Sequence, residues 1–249
     1  MDTETEVSMV QKLEELTVVG AKKDCCGCGQ GCQPAAIRGP ADGTEVVGWK
    51  RGVMKPIAVL YATREGHTQE IAERVAADLR AHGFSVEPKN LREYASAVKL
   101  GDHSAVVLAA SVHAGKHEAE MEEFVRTHRA ELEKMPAAFL SVTLSEAGAE
   151  RPESNPIERA RFASDAQKMI DKFIEDTGWR PERVKPVAGA LMYSKYNFFE
   201  KFIMKRIARK VGAGTDTSKD YDYTDWEALD GFANELAEAF AASGSQSPK

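Results

Sequence analysis

The hexapeptide Thr63-Arg64-Glu65-Gly66-His67-Thr68 stands between a short apolar run and an amphipathic segment. Its two threonines carry hydroxyl donors, and its glycine lets a ligand approach the backbone closely. If a helix starts there, unpaired N–H groups and the positive end of the dipole face an anion. Neither G-x-G-x-x-G nor G-x-x-x-x-G-K-[ST] is present, so the loop is not a dinucleotide fingerprint or a Walker A. A Thr-rich loop without lysine suits a phosphate monoester. The bland alternative for Thr68 is a simple helix N-cap. A second polar and positive cluster is Ser111-Val112-His113-Ala114-Gly115-Lys116-His117. A third is Cys25, Cys26, Cys28 and Cys32, with Gly27, Gly29 and Gly31 between them. These are the only cysteines, so they cannot staple distant parts of a fold, and the compartment is expected to be reducing. Four thiolates can hold zinc or an iron–sulfur cluster, although the spacing matches neither the usual zinc pairs nor the common ferredoxin runs.

The elements that must position these clusters show in the hydropathy pattern. Residues 56–62 (PIAVLYA), 84–88, 104–110 (SAVVLAA), 137–144 (AAFLSVTL) and 184–192 read as strands. Between and after them, 68–82, 118–132, 157–177 and 225–240 read as helices, the first with Ile71, Val75 and Leu79 at helical spacing and Gly83 as its stop. Thr224 or Asp225 is the expected N-cap of the last. Strands alternating with helices imply right-handed crossovers and a parallel sheet, and continuous apolar strands imply burial on both faces. The expected fold is therefore α/β: a doubly wound, five-stranded parallel sheet in the flavodoxin-like order 2-1-3-4-5. The expected organisation is an N-terminal Cys-rich extension and linker over 1–54, one domain over 55–241, and a disordered tail over 242–249.

Ligands of such sheets sit beyond the carboxyl ends of the strands at the topological switch point. That position gathers the loops after the first, third and fourth strands. The first suits a monophosphate such as that of FMN. The second can wrap one edge of a flavin ring through its backbone, and its positive charge would stabilise a reduced, anionic ring. The third, 143–155, is long and polar (TLSEAGAERPESN) and would cover the other side. Neither the second nor the third holds an aromatic residue, which leaves the ring open to a bulky partner.

Residues 193–224 form an insertion before the last helix. Over 195–210, Lys195, Lys201, Lys205, Arg206, Arg209 and Lys210 stand against Glu200 alone, a local charge of +5 in a chain of net −6. Tyr196 and Phe198 precede Phe199, Phe202, Ile203, Ile207 and Val211 at helical spacing. A basic amphipathic helix of this kind lies on an anionic membrane or grips a flat anionic ligand. The net negative charge argues against nucleic-acid binding. No run of about 18 apolar residues spans a membrane. The acidic start, residues 1–16, is not expected to be a secretory signal.

Taken together, LYATREGHT, AASVHAGKH, MPAAFLSV, WRPERVKPVAGALMYSKY and TDTSKDYDYTDWE resemble the flavodoxin-like, menaquinone-dependent protoporphyrinogen dehydrogenases of bacteria over about residues 56–240. The resemblance implies FMN as cofactor and oxidation of protoporphyrinogen IX to protoporphyrin IX in haem biosynthesis. Electrons would pass to a membrane quinone, menaquinone or ubiquinone. It assigns Thr63, Arg64, Glu65, Gly66, His67 and Thr68 to the phosphate loop. Ser111, Val112, His113, Ala114, Gly115 and Lys116, together with Ser141, Val142, Thr143 and Leu144, are assigned to ring contacts. The implied substrate or membrane surface is Tyr196, Phe199, Lys201, Phe202, Lys205, Arg206 and Arg209, on a cytoplasmic protein held peripherally at the inner face of the membrane. Association as a homo-oligomer is left open. The competing expectation is a flavodoxin-type electron-transfer protein that docks on a redox partner, with a metal or iron–sulfur centre at the cysteines.

Overall fold

The apolar run after Pro56 forms β1 (Ile57–Ala62), buried along its whole length. Alternate side chains serve opposite faces of a strand. Ile57, Val59 and Tyr61 join one core cluster, whereas Ala58, Leu60 and Ala62 join another. The computed structural model describes residues 55–210 and 212–244. The Cys-rich extension with Cys25, Cys26, Cys28 and Cys32, residue Val211 and the last five residues lie outside the described residues.

From β1 the chain passes through α1 (His67–Ala81) to β2 (Val86–Asn90), and the short α2 (Leu91–Tyr94) leads to β3 (Ala105–His113). After β4 (Lys116–His117) come α3 (Ala119–Leu132), β5 (Ala137–Thr143), α4 (Leu144–Ala149), α5 (Pro156–Thr177) and β6 (Arg183–Ala188). The remainder is β7 (Ala190–Leu191), α6 (Phe198–Lys210), β8 (Tyr221–Asp222) and α7 (Trp226–Gly244). The five parallel strands are ordered β2-β1-β3-β5-β6, the expected doubly wound arrangement. Ile71, Val75 and Leu79 of α1 pack with Leu229, Leu236 and Phe240 of α7 on one face. Met121, Phe124 and Val125 of α3 pack with Phe173 of α5 and Trp179 on the other. No helix among the described residues is long and apolar enough to cross a membrane.

The structure departs from the sequence pattern where backbone geometry takes over from hydropathy. The second strand lies at 86–90 rather than 84–88. β3 runs past the expected end at Ala110, because Val112 and His113 pair antiparallel with His117 and Lys116. The expected second loop is therefore a hairpin, turning at Ala114 (φ 50°) and Gly115 (φ 79°), the paired positive φ values that a tight two-residue turn needs. The expected fifth strand breaks at Gly189, whose N–H donates to the Thr143 carbonyl over 3.1 Å. β7 then leaves the main sheet and pairs antiparallel with β8, inside the insertion. The expected third loop holds α4, capped by the Thr143 hydroxyl accepting from Ser145 N–H. α7 continues to Gly244, beyond the expected end at 240. Its cap is Asp225, whose carboxylate accepts from Ala228 N–H over 2.9 Å.

On the face of the sheet covered by α3 and α5, the Phe139 and Phe173 rings stack at 4.3 Å with 7° between their planes. Both are fully buried. Phe173→Ala leaves a cavity there and should lower stability by about 3–5 kcal/mol. Denaturant unfolding with an unchanged slope measures it.

Candidate functional site

The loop between β1 and α1 is built around a missing cap. Gly66 holds the N-cap position at φ 96°, with no side-chain cap. Its own N–H donates to Thr63 Oγ1 over 3.1 Å. α1 begins at His67, so Thr68 is inside the first turn and is not the cap. The N–H groups of His67 and Thr68 belong to that first turn, where a helix has no internal acceptor to offer. Thr68 is only 1% exposed, yet its hydroxyl takes no partner among the described residues. Free N–H groups, an unpaired hydroxyl and a helix dipole converge there, a donor set that fits a phosphate monoester. A Cβ at Gly66 would meet nothing within 4 Å, so the glycine is required by its φ, not by crowding.

The loop is held by a carboxylate that the sequence pattern did not single out. Glu118 precedes α3, and it is 3% exposed. Its Oε2 accepts from Arg64 Nε over 3.0 Å, and its Oε1 accepts from Ser111 Oγ over 3.2 Å. His113 Nδ1 lies 2.6 Å from the same Oε1, and His113 Nε2 lies 3.0 Å from Glu65. Arg64–Glu118–His113–Glu65 thus clamps the first loop to the β3–β4 hairpin. Burial alone would lower the His113 pKa, but Glu118 and Glu65 outweigh it and raise the imidazolium to about 9. Burial would raise Glu118, and His113 and Arg64 instead hold it down to about 2. His117, buried between Phe139 and Phe173, is pushed down to about 4 by desolvation against a weaker pull from Glu118.

A cleft at the carboxyl edge of the sheet brings together Thr63, Glu65, His67, Thr68, Ser111, Val112, His113, Val142 and Leu144 of the expected residues. Tyr196, expected at the substrate or membrane surface, lines the same cleft. Ser141 and Thr143 do not line it. The Ser141 hydroxyl is 2.8 Å from His117 Nε2, while the Thr143 hydroxyl caps α4 and reaches Met169. Arg64 turns to Glu118, and Ala114, Gly115 and Lys116 are exposed at the hairpin tip. Gly189, Ala190 and Met192 complete the lining and were missed. They were read as the end of a continuous strand, although the glycine in VAGAL signalled a break. Thr224, also missed in this role, joins His67 Nε2 over 2.7 Å and donates to the Ala188 carbonyl over 2.8 Å. It ties the start of α1 to the end of β6.

Beside the cleft, α6 turns most of its large apolar side chains outward. Phe198, Phe199 and Phe202 are 91%, 69% and 65% exposed, with Ile203 and Ile207 partly so. Ala208 and Met204 face inward, onto Leu191, Tyr193 and Tyr196. Arg206 and Arg209 are exposed, and Lys201 and Lys205 partly so. The one acid of the run, Glu200, is engaged locally. Asn197 Oδ1 accepts from Glu200 N–H, and Glu200 Oε2 accepts from Asn197 N–H, both at 2.9 Å. This reciprocal pair starts the helix in the manner of a capping box. Among the described residues no group of three or more His, Cys, Asp or Glu is placed to hold a metal.

The flavodoxin domain family matches residues 58–218. Protoporphyrinogen IX dehydrogenase (quinone) of Escherichia coli strain K12 is 35% identical over 179 residues, covering 72% of this chain and 93% of the relative. The protein of that name from Leishmania major is 33% identical over 183 residues, covering 72% and 73%. A solved short-chain flavodoxin associated with a bacterial microcompartment is 16% identical, covering 75% of this chain and 99% of its own, with a TM-score of 0.44.

The clamp makes stability depend on pH at both ends. His113 moves from 6.5 to about 9, so its contribution is complete below pH 6.5 and is lost as pH rises through 9. Glu118 moves from 4.5 to about 2, so its contribution is complete above pH 4.5 and is lost as pH falls through 2. His113→Gln should flatten the decline between pH 6.5 and 9 in thermal unfolding. Glu118→Gln should cost about 2–4 kcal/mol near neutral pH, because Arg64 and His113 lose their shared counter-charge.

Proposed function

Because the chain belongs to the flavodoxin-domain family of quinone-linked protoporphyrinogen IX dehydrogenases, we propose that it oxidises protoporphyrinogen IX to protoporphyrin IX and passes the electrons to a membrane quinone. FMN is the cofactor that its flavodoxin domain supports. The free N–H groups of the first turn of α1 and the Thr63 and Thr68 hydroxyls would hold its phosphate. Val112, Val142, Leu144 and Tyr196 would line its ring, and these mostly apolar side chains would keep water from it. When bound, FMN supplies a two-electron acceptor that the side chains of this chain lack. Protonated His113 adds positive charge at the same cleft, and its clamp keeps the hairpin side from opening.

The observation that carries the reading is the outward apolar and basic face of α6 beside this cleft. A helix that served only its own domain would turn Phe198, Phe199 and Phe202 inward. Here they face away, ringed by lysine and arginine, the pattern of a helix that lies in an anionic lipid surface. A protein so placed meets a lipid-soluble quinone where it resides, and its basic residues would attract the propionates of the porphyrinogen. The site would be cytoplasmic, on the inner face of the membrane.

Anaerobic turnover of protoporphyrinogen IX by the FMN-loaded protein should make porphyrin fluorescence grow only when menaquinone is added. Flavin that is bound and reducible without such growth would instead favour an electron carrier that docks on a redox partner. Thr68→Val should weaken FMN binding about tenfold, the loss of one hydrogen bond to a charged group, read by flavin fluorescence quenching. Replacing Lys201, Lys205 and Arg206 together by Glu should reduce sedimentation with anionic vesicles more than tenfold, at about 1 kcal/mol per basic residue. Unchanged sedimentation would remove α6 from the membrane contact.

A further inference from the structure

A second cavity of about 570 Å³ opens between the end of α4 and the chain that follows α6. Ala147, Ala213, Tyr221 and Tyr223 line it, and so do the charged residues Glu150, Arg151 and Glu153. That volume is in the range of small-molecule sites. We propose that this cavity receives the ring of the quinone, separately from the flavin cleft. The inference rests on the quinone-linked reading above and deepens it by placing the acceptor.

Three observations support the assignment. The first is position. One apolar cluster forms the wall between the two cavities: Leu144 and Tyr196 of that cluster line the flavin cleft, and Ala213, Tyr221 and Tyr223 line the second cavity. Tyr193, fully buried, stands between Tyr196 and Tyr221, with ring centroids 5.9 and 6.2 Å away. The chain that leaves α6 forms part of the lining, through Gly212 and Ala213. A ligand that enters from the lipid surface proposed for α6 therefore reaches this cavity at the end of that helix.

The second is hydrogen-bond chemistry. A quinone offers two carbonyl acceptors and no donor, so its site needs donors. The Tyr221 hydroxyl takes no partner among the described residues. The Tyr223 oxygen accepts from Gly214 N–H over 2.6 Å, which leaves its own proton to donate. Gly214 lies flat against Tyr221: a Cβ there would overlap the ring, so the glycine permits the tyrosine to stand where it does.

The third is charge. The porphyrinogen carries two carboxylates and needs at least a balancing pair of cations. Among the described residues that line this cavity Arg151 is the one cation, and its guanidinium already donates to the Gly212 carbonyl and to Glu153. Glu153 would repel a dianion, and so would Glu150 when ionised, although burial, with Glu146 beside it, pushes the Glu150 carboxyl up to about 7. A neutral planar ring meets no such penalty, and stacking on Tyr221 and Tyr223, themselves parallel at 6.3 Å, favours it.

The test uses the FMN-loaded protein irradiated with an azido-naphthoquinone and mapped by peptide mass. Labels should fall within 147–153 and 212–223, and excess menadione should suppress them. Thr215→Trp, which narrows the lining, should reduce labelling at least tenfold while flavin fluorescence stays quenched. Tyr221→Phe, which removes only a hydroxyl, should raise the menadione concentration needed for suppression about tenfold. Labels in the Thr63–Thr68 cleft, on α6 alone, or nowhere would overturn the proposal. Labelling of the cavity in a protein that fails to oxidise porphyrinogen would uphold the cavity and defeat the enzymatic reading. Quinone-dependent turnover with labels elsewhere would do the reverse.

Discussion

A buried carboxylate organises the functional end of this molecule. Glu118 sits at the entry to α3 with almost no access to water, and an unpaired charge in such a place is strongly destabilising. Its pairing is therefore obligatory, and the partners it takes define the cleft. Arg64 comes from the loop after β1, while Ser111 and His113 come from the end of β3. Each is separate in sequence, and Arg64 lies 54 residues away. The charge of one glutamate thus fixes the spacing of two loops, and His113 passes the constraint on to Glu65.

The same end of the sheet is held from the other side by hydroxyls. Thr224 binds His67 at the start of α1 and the carbonyl of Ala188 at the end of β6, so two hydrogen bonds bring the insertion back to the cleft. Ser194 is tied to Asp220 across the insertion, through its N–H and its hydroxyl. With its base fastened in this way, α6 can leave its aromatic face in solvent without unravelling. Met204 and Ala208 supply the inward packing, and the Asn197–Glu200 pair supplies the start. The helix is thus held by one face and by its first turn, and its other face is left exposed.

Much of the fold was legible in the chain. A strand covered on both faces must be apolar at every position, so β1, the buried part of β3 and β5 stood out as uninterrupted runs. The helices α1, α3 and α5 followed from spacing, and the switch point followed from the strand order. Other features lacked such a signal. The hairpin was hidden because a positive φ at Ala114 is a property of the folded turn, not of alanine. The break at Gly189 had the glycine as its one local mark, but the pairing of the run's second half with β8, at the far end of the insertion, had none. Glu118 was read only as the first residue of a helix, and Glu200 only as the lone acid of a basic run.

The linear chain by itself determined the five strands of the main sheet and the four long helices that cover it, the parallel doubly wound order, the donor-rich loop from Thr63 to Thr68, and the basic aromatic character of α6. These are matters of local composition and periodicity, and burial acts on them residue by residue. Only the tertiary structure decided which carboxylate anchors the loop, that Ser141 and Thr143 turn away from the cleft, that Tyr196 turns towards it, and that the phenylalanines of α6 face outward. Those outcomes depend on which distant groups share a buried space, where a charge must find its counter-charge and a polar atom its partner. Spacing along a chain does not encode that.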